Sequence, residues 1–422
     1  LGLVRNQFLM MRTGLLNQEQ AWAQSEPLIQ QILNEDPGNL TAEALALTYR
    51  IWFTSDVGPA ELTQRVERLR EILPKIPTES VVLGVTASVT YYRLNDPDSA
   101  LGMLDDGLLL DPLDPGLLST RGRILAEIGR FPESERYLMS ALELQPGDAN
   151  FLADISDLKT QMGDVVGALS WMRRASEADP RDHELAADVA EQLYVLDLVE
   201  EGDAWARRVL SQAPQSAVGR KIALLQAIYR DDEALALEIA EAMMRDEVSV
   251  RRGALGTAVF TYTRLMAIEG RAAEAMALIQ ELRPKAVAYD GQELVLEDAL
   301  YLLASSSLMP LLQSSDEVAA NWKNAIEVLD QIIPRRGDQP DARFWDAVLL
   351  GDHDGALRLA LDEVFTHPIS VNMNLPRMFE HPALQPLADE PEIQAELARL
   401  DRRIAQARAE VEDMLLQPEW SE

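Results

Sequence analysis

Four histidines, 70 carboxylates and no cysteine are the chemically active stock of this 422-residue chain. His183, His353, His367 and His381 lie far apart. None has a second His or Glu at the spacing of His-Glu-x-x-His, so no metal site is expected. Asp352-His353-Asp354-Gly355 has the outline of a calcium loop. No Glu follows where an EF-hand requires one, and the segment reads as a tight turn. There is no Gly-x-Gly-x-x-Gly after a strand, no phosphate loop and no Gly-x-Ser-x-Gly elbow. The absence of cysteine removes disulfides, thiolate metal sites, Fe–S clusters and cysteine nucleophiles. Carboxylate pairs are unavoidable among 70 acids and carry no catalytic meaning alone. No catalytic, cofactor-binding or metal-ligating residue is therefore assigned, no cofactor is expected, and an enzyme is not the expected class.

The charge excludes further functions. Lys and Arg number 38, giving a formal charge of −32. Binding to phosphate backbones needs clustered cations that displace counterions, so a general nucleic-acid partner is excluded, and anionic lipid is disfavoured for the same reason. With 47% hydrophobic residues the chain can bury a large core, which separates it from a disordered acidic tail. The chain opens at Leu1 without Met, and its first apolar stretch is broken by Arg5, Asn6 and Arg12, so neither an intact signal peptide nor a membrane span is expected there. The expectation is an upstream cleavage or an excerpt of a longer polypeptide. Freedom from cysteine leans toward an oxidising compartment, favouring periplasm over cytoplasm.

The elements that must position any site follow from periodicity. Pro112, Pro146, Pro180 and Pro214 recur every 34 residues, preceded at slightly longer intervals by Pro77 and Pro37. Twelve residues before these prolines stand Ser25, Arg65, Ala100, Ser134, Ala168 and Gly202; eight before stand Ile29, Leu69, Leu104, Leu138, Met172 and Ala206. Four-residue steps place such positions on one helical face. Seventeen before the four clearest prolines lie Asn95, Gly129, Gly163 and Asp197, residue types that tolerate the left-handed conformation and close a helix. The unit reads helix, tight turn, helix, proline-marked loop. It continues with drifting phase through Gly270, Trp322–Ile333 and Gly351, predicting nine to ten helix pairs.

This pattern resembles the tetratricopeptide repeat (TPR), most clearly from Ala87 to Pro214, with Gly122, Ser156 and Ala190 at the small position of the first helix and Ala100, Ala168 and Gly202 at that of the second. Leu118, Leu152 and Ala186 stand where the family often has Trp. The resemblance implies an all-α, right-handed α-solenoid of stacked helix-turn-helix repeats in a bacterial-type array, each hairpin burying its apolar stripe on its neighbours. It also implies a concave surface lined by first helices, with Ser119, Thr120, Arg123 and Glu127 from one repeat, Asn150, Ala153, Asp154, Asp157, Thr160 and Gln161 from the next, and Glu184, Asp188, Glu191 and Tyr194 from the third. Chaperone-binding members grip a C-terminal carboxylate with Lys and Asn on this surface. Acids stand here instead, so the expected partner is another protein presenting a Lys- or Arg-bearing segment.

Expected domains are a TPR-like array over 1–365, clearest over 80–214, a Pro-rich irregular cap over 366–390 and a terminal helix over 391–416. Ser305–Ser315 reads as an interhelical loop. In the tail, Ile393, Leu397, Leu400, Ile404, Ala407, Val411 and Met414 form a heptad seam. It either caps the last repeat or meets a partner, including a second copy in a homodimer, making Leu397, Leu400, Ile404 and Val411 a second candidate contact. The leading expectation is a non-catalytic interaction scaffold. The alternative is the sensory or regulatory portion of a larger, membrane-tethered regulator or enzyme whose catalytic or DNA-binding domain lies outside these residues.

Overall fold

The computed structural model describes residues 18–53, 59–76, 79–246, 254–287, 296–333, 339–366 and 375–417. Among them helix is the only regular structure. Contacts divide the chain into two units, Leu1–Met162 with Ser170–Asp182, and Gly163–Leu169 with His183–Glu422.

The first unit contains α1 (Gln18–Glu35), α2 (Leu40–Phe53), α3 (Pro59–Ile72), α4 (Ser80–Leu94), α5 (Pro97–Leu110), α6 (Pro115–Glu127), α7 (Phe131–Leu144), α8 (Ala149–Met162) and the C-terminal part of α9 (Val165–Ala178). Proline or an acid opens the helices: Pro97 and Pro115 sit in first turns, while Asp96 and Asp114 accept the Ser99 and Leu117 amides at 3.0 and 2.9 Å. The hairpins α2–α3, α4–α5 and α6–α7 each pack their two helices together, and the first helices α2, α4, α6 and α8 pack each on the next. That stacking is what a solenoid-type array requires.

The second unit contains α10 (His183–Val195), α11 (Val199–Gln212), α12 (Ala217–Tyr229), α13 (Glu233–Arg245), α14 (Ala254–Ile268), α15 (Ala272–Leu282), α16 (Pro284–Val287), α17 (Leu296–Ser306), α18 (Met309–Leu312), α19 (Ser315–Ile332), α20 (Pro340–Leu349) and α21 (His353–Asp362). Three further helices close it: α22 (Leu375–Phe379), α23 (Gln385–Ala388) and the long α24 (Pro391–Leu415). First helices α10, α12, α14 and α17 again pack in succession.

The turn residues behave as their spacing predicts. Asn95, Gly129, Gly163 and Asp197 all have positive φ, and Asp231, Gly270 and Gly351 extend the series. The same i→i−5 amide bond closes five turns: Arg130 to Leu125, Leu198 to Leu193, Asp232 to Ala227, Arg271 to Met266 and Asp352 to Ala347. This is the Schellman closure that returns the chain antiparallel on itself. The Asp352 carboxylate accepts the Gly355 amide at 2.9 Å, so the calcium-loop lookalike is a turn and helix cap.

The repeat positions are core. Ile29, Leu69, Leu104, Leu138 and Ala206 have no exposure and Met172 has 3%. Full burial of each larger side chain contributes on the order of 1.5–3 kcal/mol. At the small positions, a Cβ on Gly122 would stand 2.6 Å from Leu138 Cγ, and one on Gly202 would stand 2.7 Å from the Tyr194 ring. Helices of a hairpin approach closely only because those side chains are missing.

One expectation is overturned. Ser305–Ser315 is not an open loop, because α17 runs through Ser306, α18 follows, and Ser305, Ser306, Leu308 and Met309 are buried. The hydroxyls of Ser305, Ser306 and Ser307 donate to the carbonyls of Leu302, Leu303 and Ala304, which lets a serine run enter a core. Ser314 then forms a capping box with Glu317 at the start of α19. Within the Pro-rich stretch, 367–374, including His367, lies outside the described residues; 375–390 is built of short helices.

Candidate functional site

In the first unit, α4, α6 and α8 bring together Tyr92, Ser119, Arg123, Glu127, Asp154, Asp157 and Gln161. Asp154 is the hub. It accepts a hydrogen bond from the Ser119 hydroxyl and lies 3.7 Å from Arg123 Nε. Arg123 also bonds the Tyr92 hydroxyl and feels the Asp157 charge. Gln161 Nε2 donates to Glu127 Oε1 at 3.3 Å. Burial would lower the Arg123 guanidinium, but Asp154, Tyr92 and Asp157 outweigh it and hold it above its usual value. Burial pushes the Glu127 carboxyl up, with Arg123 and Gln161 opposing, and it also raises the Tyr92 hydroxyl.

Two observations together locate this cluster. Water reaches it: the Arg123 side chain is 39% exposed and Tyr92 37%. Yet desolvation is the first influence on Tyr92, Arg123 and Glu127 alike. These groups are packed among their neighbours and still reachable from water. Glu127, Asp154 and Asp157 all act on the one Arg123 guanidinium there. Asn150 sits at the head of α8, where its amide donates to Asp148 Oδ1 at 2.9 Å.

The second unit treats the remaining predicted residues differently. Glu184 and Asp188 are half-buried on α10. Glu191 is neutralised by Lys221 Nζ at 2.6 Å. Tyr194, expected on the surface strip, is fully buried, because the small Gly202 beneath it opens space for its ring. Its hydroxyl donates to Asp203 Oδ1 at 2.7 Å. Gln226 and Arg230 also donate to Asp203, which is 4% exposed. Burial would raise that carboxyl, but Arg230, Tyr194 and Gln226 outweigh it and hold it below the usual carboxylate range.

In the tail, Leu400 and Val411 are buried and Leu397 and Ile404 half-buried, with α24 packed against α21 and α23. The heptad seam is thus engaged inside its own unit. Sequence reading passed over Tyr92, Lys221, Tyr229, Arg264, Arg377 and Arg408. The first hint was available for Tyr194, Tyr229 and Arg264, which recur at intervals of 35.

Among the described residues no group of three or more His, Asp or Glu is placed to hold a metal ion, and no helix is long and apolar enough to cross a membrane. A cavity of about 390 Å³ in the first unit is lined by Asp105, Leu108, Leu109, Pro112, Leu118 and Tyr137, next to the exposed Leu110 and Leu113.

The 34-residue phase, the left-handed turns and the small-residue crossings define an all-α array of TPR-type helical hairpins. No family model matches the chain, and no curated protein matches it. Solved structures are similar to it. A tetratricopeptide repeat protein from Parabacteroides merdae is 17% identical with a TM-score of 0.42, covering 58% of this chain and 91% of its own. Pseudomonas aeruginosa pilF is 17% identical with a TM-score of 0.39, covering 54% and 96%. Yeast Tom70 is 11% identical with a TM-score of 0.46, covering 89% and 88%. These likenesses are too distant to argue from, and the fold assignment rests on the geometry above.

Proposed function

We propose that this chain is a non-catalytic interaction scaffold that holds a Lys- or Arg-bearing segment of a partner protein against the α4, α6 and α8 face of its first unit. The observation that carries the reading is the solvent-reachable, crowded cluster around Arg123. Its Asp154 is already committed to Ser119 and Arg123. Glu127 and Asp157 add carboxylates beside it that a partner cation would meet. Tyr92 adds an aromatic face suited to a guanidinium or an apolar side chain. Acids on such a face steer cations and select the sign of the ligand more than they add affinity.

The test uses the full chain and a short peptide alternating Arg and Ala as probe. Replacing Glu127 by Gln and Asp157 by Asn is expected to slow association several-fold and to flatten its dependence on ionic strength, with helix content unchanged. Unaltered association and salt dependence would reject the reading. We further propose that α24 serves its own unit and is not a dimer seam, since its buried stripe is already covered.

A further inference from the structure

The C-terminal end of α5 and the turn after it carry an apolar surface that repeat stacking does not explain. Leu109 is 80% exposed, Leu110 64% and Leu113 67%, on either side of the exposed Pro112. In the register of the repeat these leucines stand three and two residues before the proline and one after it. The next three repeats hold Glu143, Glu177 and Ser211 at the first of these positions, and Gly147, Arg181 and Gln215 at the last. At the middle one stand Leu144, Ala178 and Gln212. The fold therefore does not require leucine at these places. Single exposed leucines are ordinary, but a cluster of them beside a cavity marks a contact surface.

The cavity lies between α5 and the α6–α7 hairpin. Its volume of about 390 Å³ has room for a large apolar side chain, and Leu108, Leu109, Pro112, Leu118 and Tyr137 form most of its wall. Its charges are matched on the α7 side and unmatched on the α5 side. Asp105, also in the wall, is held by Arg121 Nη1 at 2.6 Å, and that guanidinium lies 5.0 Å from the Tyr137 ring centre. Arg130 and Arg136 both pair with Glu133, at 2.7 and 3.9 Å. On α5 and its turn, Asp106 and Asp111 are exposed, and among the described residues no cation pairs with either. The last turn of α5 has no basic residue, so the negative end of its dipole is also uncompensated there.

We propose that this surface takes a segment of a partner protein in which a large apolar side chain fills the cavity and a neighbouring Lys or Arg meets Asp106, Asp111 and the end of α5. The apolar contact supplies most of the affinity, and the acids set the sign of the ligand and its rate of arrival. The segment follows α5 and the turn and leaves the outer side of α7, with Arg136, uncovered. A net charge of −32 disfavours a second copy of the chain as the occupant. The proposal does not rest on the Arg123 cluster, which belongs to α4, α6 and α8.

The experiment offers the full chain three short labelled peptides, one of Leu and Lys, one of Leu and Glu, and one of Ala and Lys. The Leu–Lys peptide is expected to bind at least about tenfold tighter than the other two and to slow hydrogen exchange over 106–113. Leu109→Ser/Leu113→Gln, which installs the residues of the Pro214 repeat, is expected to weaken that binding at least about tenfold. Asp106→Asn/Asp111→Asn is expected to weaken it several-fold and to flatten its salt dependence, while Glu127→Gln/Asp157→Asn leaves it unchanged. All substituted leucines and aspartates of this surface are exposed, so an unaltered urea midpoint is expected in both variants. No binding of the Leu–Lys peptide, equal binding of the Leu–Glu peptide, or binding that survives the leucine substitutions overturns the proposal. So does loss of binding in the Glu127→Gln/Asp157→Asn variant, which would assign the peptide to the Arg123 cluster. A wild-type dimer that the leucine variant dissolves would make the surface a contact between copies and overturn it as well.

Discussion

Asp203 shows how one buried charge organises a repeat. It takes hydrogen bonds from Tyr194 of α10 and from Gln226 and Arg230 of α12 and its C-terminal end, and is 4% exposed. Removing the carboxylate orphans the buried Tyr194 hydroxyl, while Arg230, half-exposed, can turn to water. Asp203→Ala is expected to cost about 3 kcal/mol, measured as the shift in urea midpoint at constant slope. A second residue-scale expectation concerns His381. Burial, with Arg264 of α14 adding to it, lowers its imidazole to about 4. The folded value lies below the unfolded 6.5, so the unfolded form binds more protons between them. Stability is therefore complete above pH 6.5 and declines as the pH falls toward 4, by up to about 3 kcal/mol. The expected readout is faster hydrogen exchange of 375–388 at pH 5 than at pH 7, after correction for intrinsic rates. The pH effect should disappear in His381→Leu; an equal pH effect in that variant would discard the explanation.

At the scale of elements, what was legible in the sequence is what repeats. The turn residues at 95, 129, 163 and 197 and the small residues at 122 and 202 each do one local job, set by backbone sign or by helix approach, and such jobs recur at the period. Ser305–Ser307 were misread because a serine run has the composition of a loop, while bonding back to a carbonyl three residues earlier is invisible without geometry. Tyr194 was misplaced for a similar reason. Its register fits the surface strip, but the absent side chain at Gly202 admits the ring to the core. The apolar seam of α24 was legible in the sequence, but the arginine contacts of the C-terminal segment to α10 and α12 were not. Arg377 and Arg408 meet partners 149 and 212 positions away, and no periodicity links them. The candidate site was half legible: its acids followed from register, but the central role of Arg123 depends on side-chain pairing across helices.

For the molecule as a whole, the charge of −32 is not spread as one undivided acidic surface. Many acids are consumed by caps and by pairs such as Lys221–Glu191 and Arg68–Glu43. What remains functionally interesting is local: the Arg123 cluster in the first unit. The central claim is that first-helix faces receive partners. The most direct measurement places a photo-crosslinking side chain at Thr120, on α6 beside the cluster, and separately at Arg136, on the exposed side of α7, in the full chain in its native source. Capture of a discrete partner from position 120 and not from position 136 is the expected result. Capture from 136 alone, or equally from both, would contradict it.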